Sequence, residues 1–477
     1  MSITPEHGLL IDGESVFTDD VVEVVNPATG EAFAAVPRAD RALVDRAVAA
    51  AKAAFPAWAA TPFAERVAVV HRMADALEQH ADEVARLLTQ EQGKPLSQAM
   101  DEVFGSAYMM RGLADNARME PVVLKADGPS RIVEYRAPLG VVAAITPWNY
   151  PVSLLAVKVA PALVAGDTVV AKPAPTTPLT TVLLAQLWRE IVPAGVLNVV
   201  CDVNDLGPAL TEHPDVAKVS FTGSGATGKK VMASVAPTLK RLTLELGGND
   251  PAIVLDDLTP TEAAAKVYDA AMLNAGQVCL DAKRIYVPRS MYDDFCDEIA
   301  RLAKAAVVGD GLDPATTVGP IQNRAQFEKV KGYLQEAQEL GKVLTGGAPL
   351  DRPGYFVPPT IVRDLPDDAR LVAEEQFGPV VPVLAYDDVD EVIARANATD
   401  FGLGGTVWGR DTERAAAVAA RIESGTVWVN QHLAADVDVP SRGAKWSGFG
   451  AELGLEGFHE YTQARVVNQI EWTSPAS

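Results

Sequence analysis

Four short apolar runs, GVVAAITP (140–147), GDTVVAKP (166–173), GVLNVVC (195–201) and AKVSFTGS (217–224), set the reading of this chain. They are punctuated by Gly and Pro and separated by stretches compatible with helices. Continuous apolar runs of this length suit strands buried on both faces, and their alternation with helices predicts a parallel sheet covered on both sides. A second series follows Gly247: PAIVLDD (251–257), KRIYVP (283–288), PPTIV (358–362), VVPVLAY (380–386), GGTVWG (404–409) and GTVWVN (425–430), mixed with helical stretches such as 322–340. That pattern predicts a second α/β domain. Upstream, residues 39–119 carry apolar side chains at helical spacing, for example Ala42, Val44, Ala47, Val48, Ala51 and Phe55, and read as packed scaffold helices. Segments 120–139 and 461–473 are strand-like, lie outside both series, and could pair as an arm between lobes or subunits.

The 477 residues allow two or three domains or one large two-lobed enzyme, and 48% hydrophobic with 22% charged residues is a globular composition. A formal charge of −22 makes the average surface field repel nucleic acid and anionic membranes, so neither is an expected partner. The apolar stretch from Val141 to Val170 is interrupted by Pro147, Asn149, Pro151, Lys158, Pro161 and Asp167, too often for a bilayer span. The opening MSITPEHGLLIDGES lacks a basic segment followed by an apolar run, so no signal peptide is expected. Cys201, Cys279 and Cys296 are too few and too scattered for a disulfide framework, which points to a reducing, cytoplasmic setting.

The sharpest local motif is FTGSGATGK (221–229), where Gly223, Gly225 and Gly228 match G-x-G-x-x-G between an expected strand and an expected helix. Such glycines let a pyrophosphate approach a helix N-terminus, and Glu245 lies about 20 residues on, where a ribose ligand would stand. The competing reading is an ordinary Gly-rich turn. NAGQVC (274–279) places Cys279 among glycine and amide residues typical of a constrained turn, unlike Cys201 and Cys296, which read as small buried hydrophobes. A thiolate nucleophile needs a base or a cation, and the oxyanion it creates needs positioned donors. The six histidines form no ligand pattern, and no metal is expected.

An ordered set of further motifs runs from VVNPATGE (24–31) through PWNYP (147–151), KPAP (172–175), ELGGND (245–250) and EEQFGPV (374–380) to GFGAELGLEGFHEYT (448–462). With FTGSGATGK and NAGQVC between them, the chain resembles the aldehyde dehydrogenase superfamily over nearly its whole length. The resemblance implies an α/β fold: a Rossmann-like dinucleotide-binding domain (1–119 and 140–246), an α/β catalytic domain (247–446) and a small β bridging arm (120–139 and 461–477). It implies oxidation of an aldehyde to a carboxylate with reduction of NAD(P). Cys279 matches the nucleophile, Asn149 with the Cys279 backbone N–H the oxyanion hole, and Glu245 the base that activates water, a role that displaces the ribose reading. Lys172 matches a ribose contact, Glu375 and Phe377 the pair orienting the nicotinamide end, and Trp148, Gly223 and Ser224 further cofactor contacts. Tyr150 falls at the substrate pocket, Glu452 matches a proton-relay carboxylate, and Lys158 is given a structural role. A homodimer or homotetramer is implied. Alternatives are a dehydrogenase that passes the thioester to coenzyme A, a thiol hydrolase, and a non-catalytic member.

Two departures bear on specificity. Pro175 stands where many members carry a ribose-gripping glutamate, yet no Arg or Lys replaces it, so NAD is favoured with NADP open. The loop usually written Pro-Phe-Gly-Gly is here Pro440-Ser441-Arg442-Gly443. Ser441 and Arg442 make the pocket more polar, and Arg442 could meet an anionic substrate tail or pair with a nearby acid such as Asp436 or Asp438. Val157 stands where members specific for succinic semialdehyde carry arginine, so that substrate is not favoured.

Overall fold

The structure, a computed structural model, describes residues 3–472. Its first sheet has six strands in the order 448–449, 241–245, 216–222, 141–145, 168–172 and 197–199. Its five long-chain neighbours from 141 to 245 are all parallel, and only the short edge strand Gly448–Phe449 runs antiparallel. Counted in chain order, the parallel strands lie 3-2-1-4-5, the doubly wound order of dinucleotide-binding folds. Between 141–145 and 216–222 the winding direction reverses, and the crevice beyond the carboxyl ends of these two strands is where such sheets bind ligands. Both strands are buried apart from half-exposed Ala217 in the second, as their apolar runs require.

Helices Arg41–Ala60, Phe63–Gln79, Ala81–Gln92 and Leu96–Asn116 pack with this sheet into one core. The last buries Ala99, Val103, Ala107, Met110 and Ala114, spaced three or four apart so that they share one face. Helix Pro151–Ala165 is buried almost all round and stops at Gly166 in the left-handed conformation.

The second sheet has seven strands in the order 342–345, 360–363, 380–386, 284–288, 251–254, 404–408 and 426–429. Lys342–Thr345, an antiparallel edge strand, was not legible as one of the apolar runs because half-exposed and exposed positions make up all of it. Ala252 and Val254 face one core while Ile253 and Leu255 face another, the period-two alternation of a sheet covered on both sides.

Strand Thr462–Ile470 pairs along its full length with Ser130–Pro138, which also pairs with Val122–Asp127. This three-stranded arm exposes Val122, Val123, Leu124, Val466, Val467 and Ile470. Residues 473–477 of the expected arm lie outside the described residues. Two short ribbons, 9–11 with 14–16 and 21–26 with 31–37, complete the N-terminal part. Among the described residues no helix is long and apolar enough to cross a membrane.

Helix Gly225–Val235 follows the crevice strand and sits so close to the chain that a Cβ on Gly228 would lie 2.5 Å from Leu246 Cδ2. Gly228→Ala is expected to cost about 1–3 kcal/mol by overpacking, read as a lowered Tm. An unchanged Tm would mean that the helix is free to shift outward.

Candidate active site

Cys279 reaches the crevice through a costly turn. Asn274 (φ 50°, ψ 36°) and Ala275 (φ 56°, ψ 41°) are both left-handed, and Gly276 follows at φ 69°. A left-handed conformation costs a non-glycine residue roughly 1–2 kcal/mol, so the surroundings must impose it. They do so with buried hydrogen bonds. Gln98 Oε1 accepts from Asn274 N–H at 3.1 Å, and Gln277 Nε2 donates back to the Asn274 carbonyl at 2.8 Å. Gln277 Oε1 accepts from Gln322 N–H at 2.9 Å. A Cβ on Gly276 would lie 2.3 Å from the Gly378 carbonyl oxygen, so only glycine fits there.

Asn149, just beyond the carboxyl end of strand Val141–Ile145, is tied to this turn in both directions. Its carbonyl accepts from Asn274 Nδ2 at 3.1 Å, and its own Nδ2 donates to the Gln277 carbonyl at 3.0 Å. One N–H of the Asn149 amide is therefore spent on fixing its orientation, which leaves the second for a ligand. Among the described residues the backbone N–H of Cys279 has no protein partner, whereas the preceding Val278 N–H is taken by Asp281 Oδ2 at 3.0 Å.

The cleft they line encloses about 160 Å³. Strand ends contribute Pro147, Trp148 and Asn149 on one side and Thr222, Gly223 and Ser224 on the other. Leu246, Gly247, Gln326, Lys329, Glu375 and Phe377 close it opposite. Trp148 and Phe377 meet edge to face with centroids 5.2 Å apart. Phe377 takes a left-handed φ of 52°, held by Gln326 Nε2 donating to its carbonyl at 2.9 Å. Glu375 Oε1 accepts from Gly248 N–H at 2.9 Å, and Lys283 Nζ stands 3.8 Å away. Ser224 caps helix Gly225–Val235, its Oγ accepting from Thr227 N–H at 3.3 Å.

Burial dominates the electrostatics. It pushes the Cys279 thiol up to about 12, with Glu375, Asp250 and Glu245 adding to the rise and Lys283 opposing it. Glu245 ends strand Arg241–Glu245 and is buried with one carboxyl oxygen unpartnered. Its carboxyl is raised well above the usual range by burial first and by the neighbouring Glu452 second, against a lowering by Lys158. Glu452 pairs with the fully buried Lys158, which also donates to Ser220 Oγ at 3.2 Å. Lys158 thus touches the carboxylate group around Glu245 in addition to filling its helix position.

The remaining expected residues spread further. Lys172 does not line the cleft: its Nζ pairs with Asp202 Oδ1 at 2.6 Å, at the carboxyl end of the neighbouring strand. The Tyr150 ring lies under Lys94 Nζ, 3.5 Å from the centroid. Ser441 exchanges backbone hydrogen bonds with Glu452 at 2.7 and 3.0 Å. Arg442 pairs with Glu456, not with Asp436 or Asp438, and half of its side chain is exposed. Lys283, Asp281, Asp202, Gln326 and Lys329 carried no motif signal, and the residues Lys94 and Glu102 fell within the stretch read as scaffold.

Residues 15–467 match the Aldehyde dehydrogenase family. The chain belongs to this family. It is 39% identical over 477 residues to a betaine aldehyde dehydrogenase of Rhizobium etli (strain CIAT 652), covering 98% of each chain. The NAD+ complex of an aldehyde dehydrogenase from Bacillus cereus superposes with a TM-score of 0.95 at 36% identity, covering 98% of this chain and 96% of that one. An NADP dependent enzyme of E. coli matches with the same TM-score and identity, covering 98% of both chains. The enzyme is an NAD(P)-dependent aldehyde dehydrogenase with a mixed α/β fold, and the two structural relatives leave the choice of cofactor open.

The raised thiol sets a pH response for the enzyme without cofactor. Alkylation of Cys279 by iodoacetamide, followed by peptide mass spectrometry, is expected to accelerate about tenfold per unit from about pH 7 to about pH 10. A rate that levels off near about pH 8 would show a thiol of ordinary acidity and contradict the burial argument.

Proposed function

We propose that the enzyme turns an aldehyde into a carboxylate through a thioester on Cys279, with Asn149 as oxyanion donor, Glu245 as base, and NAD preferred to NADP. The carrying observation is the convergence of the Cys279 turn, the oriented Asn149 amide and the crevice of the doubly wound sheet on one cleft. Attack by sulfur on the aldehyde carbon leaves an alkoxide, which meets the second Asn149 N–H and the unpaired Cys279 N–H. A nicotinamide held between Trp148, Phe377 and Glu375 would supply the hydride acceptor for that carbon. The acyl group then remains on Cys279, and Glu245 takes a proton from the water that hydrolyses it. Its raised affinity for protons suits it to this task, and it can first receive the thiol proton. Glu245 has to pass the thiol proton on before it activates water, and Glu452, the neighbouring carboxylate paired with Lys158, can take it.

The residues present fit a dinucleotide. Gly223 and Ser224 bring a helix N-terminus to the crevice, where a pyrophosphate would be held. Trp148 and Phe377 wall the other end, and Glu375 is already oriented by Gly248. The preference for NAD is supported by Lys172 and Asp202. The lysine charge is matched by a carboxylate 2.6 Å away, whose second oxygen is fixed by Leu206 N–H at 2.9 Å. A 2′-phosphate brought to Lys172 would meet that carboxylate, while a ribose hydroxyl could donate to it. The exposed apolar face of the arm supports a homodimer or homotetramer, and three unpaired cysteines support a cytoplasmic setting.

Reduction of NAD and NADP at 340 nm tests this, with neutral, carboxylate-tailed and quaternary-ammonium aldehydes, betaine aldehyde among them. Cys279→Ala is expected to abolish turnover, and Asn149→Ala to lower kcat by about 10²–10³. Asp202→Asn is expected to raise the NADP to NAD ratio of kcat/KM by about tenfold, the loss of about one and a half kcal/mol of discrimination. Because Glu456 already takes the Arg442 charge, Arg442→Ala is expected to leave the ratio of acid-tailed to neutral aldehydes unchanged. Turnover by Cys279→Ala would overturn the proposal, and an unmoved cofactor ratio would remove Asp202 from it.

A further inference from the structure

Lys94 and Glu102 form an ion pair with no exposed side-chain surface, the lysine just before helix Leu96–Asn116 and the glutamate in its second turn. Burying two charges costs more than their attraction commonly returns, so such a pair gives little reason for its presence on grounds of stability. Its remaining bonds give a different reason, because nearly all go to one segment. Lys94 Nζ donates to the Asn149 carbonyl at 3.0 Å and lies 3.5 Å from the centroid of the Tyr150 ring. Glu102 Oε1 accepts from Val152 N–H at 2.9 Å and Ser153 N–H at 3.2 Å, while Oε2 faces Lys94. Helix Pro151–Ala165 begins at Tyr150, which provides no side-chain cap, so Glu102 supplies from a different helix the acceptor that a capping residue would.

Each partner answers a separate need. The first turn of helix 151–165 requires an acceptor, yet a lone carboxylate beside the cleft would oppose the negative charge that develops there. Lys94 cancels that charge and uses a second N–H to fix Asn149. The same Asn149 carbonyl also accepts from Asn274 Nδ2, so it is the point where the pair and the Cys279 turn are joined. We propose that Lys94 and Glu102 are positioning residues for oxyanion stabilisation, holding residues 149–153 so that the Asn149 amide stays aimed at Cys279. This rests on the role proposed for Asn149.

The test compares the burst of reduced NAD after rapid mixing of enzyme, NAD and aldehyde in wild type, Lys94→Met/Glu102→Gln, Asn149→Ala and the triple variant. The double variant keeps the volume and an acceptor for Val152 but removes both charges and the bond to Asn149. Its burst rate is expected to fall by up to about 10²-fold, the scale of a misplacement near 1 Å, with NAD affinity and iodoacetamide reactivity of Cys279 unchanged. On the Asn149→Ala background the same pair of changes is expected to cost little more, because the pair acts through Asn149. If the double variant does not fold, Glu102→Asp keeps the charge but draws the carboxylate back from Val152 and Ser153, and a smaller fall of the same kind is expected. Losses that multiply independently of Asn149, or a double variant with a full burst rate, would overturn the proposal. A full burst in Asn149→Ala itself would show that the failure lies in the reading of Asn149.

Discussion

Two hydrogen bonds run in opposite directions between Asn149 and the turn at 274–277, and they hold the two halves of the catalytic centre in register. Asn149 leaves a central strand of the six-stranded sheet, and the turn leads through Cys279 toward the central strand 284–288 of the seven-stranded sheet. Both bonds are buried, so water offers no substitute if either is lost. Three consecutive left-handed residues persist only because such bonds, together with Gln98, Gln277 and the close approach of Gly378, leave the chain no alternative. This left-handed run stands at the place where a sulfur atom has to emerge between two sheets.

Around that point the enzyme concentrates acids. Asp250, Asp281, Glu245 and Glu375 are each raised by burial, and Lys283 opposes the rise at Asp250, Asp281, Glu375 and the Cys279 thiol, joined by Arg284 at Asp250 and Lys329 at Glu375. The Lys283 ammonium is engaged by the carbonyls of Val278 and Cys279 at 2.8 and 2.6 Å. A thiol in such a field resists ionising at rest. Under the proposed chemistry, proton transfer to a neighbouring base generates the nucleophilic sulfur when substrate arrives, and the neutral thiol resists adventitious alkylation and oxidation until then.

The parallel architecture was legible because strands buried on both faces must be apolar throughout, and those runs survive any local context. The antiparallel edge strand 342–345 escaped notice because its half-exposed positions carry no such demand. Cys279 and Asn149 stood out through motifs shared with a known family, and among the glycines of 223–228 the restriction is steric at Gly228, where a side chain would collide with Leu246. Lys94, Glu102 and Asp202 did not stand out, because a charged residue in a helical or loop stretch looks solvated until the fold buries it. Lys94 and Glu102 pair eight residues apart, but the bonds that tie them to residues 149–153, and the Lys172 partner of Asp202, span 30 to 55 residues, beyond the reach of any local pattern. Arg442 shows the converse: its charge stood out in the loop, but its partner Glu456 lies on a short helix that follows.

The central claim is that the acyl group passes through Cys279. Acid-quenching the Glu245→Gln variant shortly after mixing with NAD and a simple aldehyde, then mapping peptides by mass spectrometry, tests it most directly. An acyl mass increment is expected on the peptide carrying Cys279, persisting because hydrolysis has lost its base. No increment on Cys279 while reduced NAD accumulates in stoichiometric amount, or an increment on Cys201 or Cys296 instead, would contradict it.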